Sequence, residues 1–255
     1  MKTSSLTLVT GADSTHARTL LNFLASAKKY APLARVVVYD LGMANFQLRR
    51  LKQKFDYEVR KFDYTTHPTY FNIKVNAGEY AWKPVIVAEV AREFGGIICW
   101  MDAGNLIVGP ISEIVSEAKN VGFYRTSSGG KIGRWTHPAT LAYFNLPYDW
   151  KSDEVMLASG LVAFDTQNKS AMKLLLEWAK YAQIKECIAP EGSNRKNHRQ
   201  DQALLAVLAG IVGWPEPKAS SSTNVVFQQD ADFIGDPILY IRRKTSKFLR
   251  SIGNT

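Results

Sequence analysis

Between residues 6 and 62 the chain alternates short β-branched runs with stretches of helical periodicity, and this alternation restricts the fold more than any other feature of the sequence. Residues 6–10 form a β-rich run that ends in Gly11-Ala12-Asp13. A helical pattern over residues 14–30 follows, with Leu20, Leu21, Phe23 and Leu24 as its apolar face. Val36-Val37-Val38-Tyr39 reads as a buried strand ending at Asp40, residues 44–54 as a helix, and residues 57–62 as a third strand. The order βαβαβ requires parallel strands joined by crossover helices, so an α/β fold is expected. After a longer connection, residues 79–94 read as a helix stopped by Gly95-Gly96. The apolar run Ile97-Ile98-Cys99-Trp100-Met101 then halts at Asp102-Ala103-Gly104. Ligands of open α/β sheets bind at the carboxyl ends of the strands, so an acid followed by small residues at that point is placed to meet one.

The second half is less regular. A short extended piece at 106–108, a helix over 110–119 and a strand over 121–125 precede a Ser/Gly stretch, residues 126–133, expected to be a loop. A buried strand over 157–165, a helix over 170–183, an irregular polar stretch over 190–197 and a helix over 199–210 complete the pattern. Asp165 is expected to cap the helix after it. No repeat and no linker are visible. Residues 1–237 are therefore expected to form one domain in two halves, about 1–109 and about 110–237.

Composition excludes several classes. The 255 residues are 46% hydrophobic and 22% charged, which excludes a disordered chain. Cys99 and Cys187 are too few for a disulfide framework, and Cys99 is expected in the core. There is no Gly-x-Gly-x-x-Gly after the first strand, no P-loop, no Cys-x-x-Cys, no paired zinc-spaced histidines and no Gly-x-Ser-x-Gly. Without an apolar run of about 18 residues the chain is expected to be soluble and cytoplasmic. Its charge of +9 is uneven, because Arg242, Arg243, Lys244, Lys247 and Arg250 stand among apolar residues in the segment 238–255. That segment is either a basic amphipathic tail that touches an anionic membrane face or a solvated C-terminal helix. No nucleic-acid motif accompanies the charge, so no nucleic-acid partner is expected.

Taken together, Tyr80-Ala81-Trp82-Lys83-Pro84, the strand ending in Asp102-Ala103-Gly104 and the stretch Val38-Tyr39-Asp40-Leu41-Gly42 resemble a little-characterised group of glycosyltransferases of the GT-A fold. The order Asp102-Ala103-Gly104, Ala158-Ser159-Gly160 and Asp201-Gln202 also resembles the glycogenin-like retaining family. The resemblance spans about residues 6–210. It implies a Rossmann-like, mixed, mostly parallel sheet with helices on both faces. It further implies transfer of a hexose from a nucleotide-sugar, UDP-hexose being favoured, to a glycan or glycolipid acceptor.

The same resemblance assigns donor contacts to Thr10, Gly11, Ala12, Asp13 and Asp40 at the base and ribose, and further donor contacts to Ala103, Gly104, Ser159 and Gly160. Asp102 would hold a divalent cation, Mn²⁺ or Mg²⁺. Asp201 would accept hexose hydroxyls and Gln202 would lie near the anomeric carbon. Lys83 would face the diphosphate, or else be an exposed helix lysine. Arg195, His198 and Arg199 would add charge from a loop, or else be a solvated loop.

The sequence departs from that pattern at three places. Gly104 replaces the second acid of Asp-x-Asp with only Asn105 after it, Ala158 replaces an Asn, and no His-containing motif follows Trp214. These departures leave open an enzyme without a metal, and a catalytically silent nucleotide- or glycan-binding protein. Retention and inversion also stay open; an inverting enzyme would need a base such as Asp153, Glu154 or Asp201. Trp135, Tyr143, Phe144, Tyr148 and Trp150 are either an acceptor wall or core.

Overall fold

A computed structural model describes residues 6–217 and 223–227. The segment 238–255, expected to be the basic tail, lies outside the described residues. The first half follows the expected alternation: β1 (Leu6–Ala12), α1 (Ala17–Tyr30), β2 (Arg35–Asp40), α2 (Asn45–Lys54), β3 (Glu58–Lys61), α3 (Trp82–Phe94) and β4 (Ile97–Met101). Next come β5 (Leu106–Ile107), α4 (Ser112–Val121), β6 (Phe123–Lys131) and two short helices, α5 (Ile132–Trp135) and α6 (Pro138–Tyr143). The last elements are β7 (Val155–Asp165), α7 (Lys169–Tyr181), the short α8 (Lys185–Ile188), α9 (Gln200–Ile211) and β8 (Val225–Val226).

Six strands form one sheet in the order β3-β2-β1-β4-β7-β6. The first four are parallel, while β7 runs antiparallel to both β4 and β6. The sheet is therefore mixed and mostly parallel, as the sequence leads one to expect. Parallel strands buried on both faces read as continuous apolar runs, and all five residues of β4 are buried. Their side chains alternate between two cores. Ile98 and Trp100 join α3, α7 and α9 on one face. Ile97, Cys99 and Met101 join α1 and α4 on the other. Helices thus cover both faces, and Cys99 and Cys187 are buried free thiols.

Three local expectations need correction. The stretch 126–133 is not a loop: β6 continues to Lys131, pairing Thr126 with Ala158, Ser127 with Leu157 and Lys131 with Val155 across two register shifts. Backbone pairing with β7 outweighs the weak strand propensity of Ser and Gly here. Asp165 does not cap α7. Its carboxylate accepts from Gln167 N in a local turn, and Asn168 is the cap, accepting from Ala171 N at 3.0 Å.

Helix α3 starts at Trp82 rather than residue 79, because residues 76–80 have positive φ (Asn76 48°, Ala77 56°, Gly78 63°, Glu79 49° and Tyr80 54°) and only Ala81, at φ −63°, joins them to the helix. This is a left-handed turn, costly for each non-Gly residue. Local bonds offset the cost. Trp82 Nε1 donates to Ala77 O at 3.0 Å, and Asn76 Nδ2 donates to Glu79 Oε1 at 3.1 Å. Pro84 is tolerated because it stands in the first turn of α3, where its missing N–H has no helical acceptor. Gly78 lies so close to Phe71 that a Cβ would overlap the Phe71 carbonyl. Gly78→Ala is expected to cost about 2 kcal/mol or more of stability, read as a lower urea midpoint at unchanged slope.

Candidate functional site

The carboxyl end of β4 is the centre of a buried charge cluster. Lys83, in the first turn of α3, is only 2% exposed. Its Nζ lies 3.2 Å from Asp102 Oδ1, 3.0 Å from Asp201 Oδ2 and 3.4 Å from Ser159 Oγ. The rings of Tyr80 and Trp100 flank it, with centroids 5.5 and 5.7 Å from Nζ. The exposed-lysine alternative is thereby excluded. Burial works against the ammonium charge, but the two carboxylates outweigh it and hold the Lys83 pKa above the usual lysine value.

Each partner is positioned by its element. Trp100 and Asp102 are two residues apart on an extended chain and share a face, so the Trp100 indole N–H donates to Asp102 Oδ1 at 2.7 Å. Gly160 in β7 packs against the other oxygen; a Cβ there would sit 2.8 Å from Asp102 Oδ2. The backbone completes the join, with Asp102 N donating to Gly160 O at 2.9 Å. Asp201 lies in the first turn of α9, where the helix dipole favours an acid. Its carbonyl accepts from Trp178 Nε1 at 2.9 Å. Burial pushes the Asp201 carboxyl up, with Lys83 pulling against it.

Beside the cluster is a cavity of about 290 Å³ lined by Ser127, Ser128, Trp135, Gly160, Arg199 and Gln202, among others. The distal parts of β6 and β7 form its floor. Of the aromatic residues considered as an acceptor wall, Trp135 alone is among those lining it. Tyr143 and Phe144 pack on Tyr181, and Tyr148 is exposed. Glu154 is held by Lys151 at 2.9 Å.

The other predicted residues are more dispersed. Thr10, Gly11 and Ala12 are buried in β1, and Asp13 is the first residue after it with appreciable exposure. Burial would raise the Asp13 carboxyl, but bonds from His16 and Thr15 bring it down to about 2. Asp40 Oδ1 accepts from Gly42 N at 2.9 Å and Met43 N at 2.6 Å, fixing the turn after β2. Ala103 is buried, and Asn105, also buried, turns its amide onto Gly160 O at 2.7 Å. Arg195 donates to Tyr80 Oη at 2.8 Å, and Gln200 Nε2 donates to Glu79 Oε2 at 3.2 Å, so the stretch before α9 is tied to the left-handed turn.

His198 has no exposed surface to offer a donor. Its Nδ1 accepts from His137 N at 3.1 Å and its Nε2 faces Ile188 O at 3.0 Å, which assigns the proton to Nε2. Burial lowers its pKa to about 4 despite the Ile188 carbonyl, so the ring is neutral. It was singled out for its basic neighbours, but its partners are main-chain groups.

The described residues do not fit a resident divalent cation. Among them no three His, Cys, Asp or Glu side chains stand together. Asp102 contributes one carboxylate that already faces an ammonium, Gly104 has no donor side chain, and the Asn105 amide is committed. Mg²⁺ and Mn²⁺ need several oxygen ligands, and the Lys83 ammonium, 3.2 Å from Asp102 and 3.0 Å from Asp201, takes the place of such an ion between the two carboxylates.

A family model described as a protein of unknown function (DUF1647) matches residues 1–88. No curated protein matches the chain in sequence. Among solved structures, the chain is similar to the galactosyltransferase LgtC in complex with donor and acceptor sugar analogues, at 14% identity and a TM-score of 0.49, covering 81% of this chain and 70% of that one. It is similar to the glycosyltransferase GlyE of Streptococcus pneumoniae TIGR4 at 9% identity and a TM-score of 0.47, covering 84% of this chain and 44% of that one. It is also similar to the Mn/GDP form of core-mannan synthase A of Aspergillus fumigatus at 6% identity and a TM-score of 0.48, covering 81% and 69%.

Two outcomes are expected from this geometry. Lys83→Met leaves two carboxylates without their cation and should cost about 3–5 kcal/mol at neutral pH. Urea titrations should show a smaller loss in acid, where Asp201 can take a proton. His198 binds a proton in the unfolded chain below about 6.5 but in the folded chain only below about 4. Stability should therefore fall as pH drops through that window, by about 3 kcal/mol in all, and His198→Gln should flatten the slope.

Proposed function

We propose that the chain is a glycosyltransferase that moves a hexose from a nucleotide-sugar to an acceptor hydroxyl. One observation carries this reading. Lys83, Asp102, Ser159-Gly160 and Asp201-Gln202 lie far apart in sequence, yet they meet at the carboxyl ends of the strands, where α/β folds bind ligands. Two carboxylates and an ammonium facing one another make a sugar-hydroxyl receptor, since they offer acceptors and donors in fixed geometry.

In this mechanism Asp13 and Asp40, at the ends of β1 and β2, face the base and ribose. Asp102 and Asp201 accept hydrogen bonds from hexose hydroxyls, and Lys83 keeps both carboxylates in place. Gln202 lines the neighbouring cavity, at the side from which an acceptor approaches the anomeric carbon. The anomeric C–O bond breaks, the nucleoside diphosphate leaves with the electron pair, and the acceptor oxygen bonds to carbon as its proton passes to the departing diphosphate. What these residues supply is positioning and electrostatic stabilisation. The donor is expected to be UDP-hexose and the acceptor a glycan or glycolipid. The alternative, a silent sugar- or nucleotide-binding protein on the same fold, would bind a donor without turnover.

A panel of UDP-, GDP-, CMP- and dTDP-sugars separates these readings. One donor is expected to raise the thermal midpoint. EDTA or added Mn²⁺ should leave that rise unchanged. Donor turnover, read as released nucleoside diphosphate, should fall about 100-fold or more in Asp201→Asn. Binding without turnover in the wild type would select the silent alternative, and no midpoint change with any donor would sink the transferase reading.

A further inference from the structure

The row of strand ends has a direction. Across the sheet the order is β3-β2-β1-β4-β7-β6. Asp40 ends β2, Asp13 follows β1, Asp102 follows β4, and the cavity lies beyond it on β7 and β6. With the nucleotide at the β1–β2 side and the hexose at Asp102 and Asp201, the cavity is on the far side of the hexose from the nucleotide. It opens beside Gly160 and Gln202. That is the approach left for the second substrate.

The wall of this cavity is cationic. Arg199 is the charged residue that lines it, with its guanidinium carbon 4.1 Å from the centre of the Trp135 ring; Arg134 lies outside the lining, 5.1 Å from the same ring. No Asp or Glu is among the described residues that line the cavity. Among the described residues neither guanidinium has an ion-pair partner, although Arg60, Lys83 and Lys151 all do. Arg199 N is also fixed, donating to Trp135 O at 3.0 Å. A guanidinium laid on an indole has little conformational freedom left to lose, and its unpaired N–H edge matches the oxygens of a carboxylate or phosphate. Ser127 and Ser128 add hydroxyls but no charge to oppose it.

We propose that this cavity receives an acceptor carrying an anionic group, a carboxylate or a phosphate, and that Arg199 binds that group. The inference rests on the transferase reading and deepens it: the acceptor is an acidic glycan or a phosphorylated sugar rather than a neutral one. It moves Arg199 from the donor, where the sequence placed it, to the acceptor. Trp135 has two functions here, holding the guanidinium and presenting an apolar face to the sugar ring.

Calorimetric titration of three probes, methyl β-glucuronide, glucose 6-phosphate and methyl β-glucoside, tests it in the wild type and in Arg199→Gln, with and without UDP. At least one charged probe should bind the wild type about tenfold or more tighter than the neutral glucoside, the margin of a charge-assisted hydrogen bond. Arg199→Gln should erase that margin and leave UDP affinity as it was. Arg199 is exposed and its backbone bond survives the change, so the variant is expected to fold. Equal binding of charged and neutral probes, or no binding of either charged probe, would overturn the proposal. So would a variant that loses UDP rather than the charged sugars, because Arg199 would then serve the diphosphate. A wild type that prefers the charged probes yet ignores every nucleotide-sugar would count against the transferase reading while leaving the anion site standing.

Discussion

A lysine buried between two carboxylates is the constraint on which the rest of this structure depends. Taking an ammonium out of water is prohibitively costly unless it is paired, and here Lys83 is paired by Asp102 and Asp201 and bounded by two aromatic rings. Those partners come from separate elements. The position of β4 against β7 sets Asp102, the docking of α9 on α7 sets Asp201, and the first turn of α3 sets Lys83. Moving any one of them leaves a charge without its counterpart. The cluster therefore fixes the relation of both halves of the sheet to the helices on one face, in addition to its chemistry.

The left-handed turn before α3 has a place in the same arrangement. A right-handed helix continued back to residue 79 would point Tyr80 and the start of α3 elsewhere. The reversed turn delivers Tyr80 against Lys83 and leaves its hydroxyl for Arg195. Backbone strain of this kind persists only where neighbours over-determine it, and it is concentrated at functional sites. Here the neighbours are Arg195, on the approach to α9, and Gln200, the first residue of that helix. The strained turn and the irregular stretch after α8 thus brace one another directly above the cluster.

Much of this was legible in the sequence, and the rest was hidden for identifiable reasons. The βαβαβ order and the end of β4 followed from apolar runs that only buried parallel strands produce. Asp102 was marked by where its strand stops. Gly104 already signalled that a metal would lack a second carboxylate. Lys83 was ambiguous because a lysine in a helix reads as exposed, and only the fold brings Asp201 to it. The extension of β6 was hidden because Ser127, Ser128, Gly129 and Gly130 favour turns locally, whereas β7 supplies the pairing. His198 read as one of several basic side chains in a loop, but its burial is a tertiary fact. The pairing of Trp100 with Asp102 is readable in the sequence, since alternate residues of a strand share a face.

The distance in sequence between Lys83 and Asp201 also affects how the chain is made. Synthesis runs from the N-terminus, and domains collapse as they emerge. The parallel strands β1 to β4 and helix α3 can assemble long before α9 exists. During that interval Lys83 has Asp102 for company but not Asp201, and the antiparallel β7 that seats Asp102 is also missing. The final seal on the charge comes from α9, more than a hundred residues behind Lys83 in the order of synthesis. A chain cut short before residue 200 would carry strands β1 to β4 with a central ammonium that cannot settle into the interior, a defect that quality-control proteases can recognise.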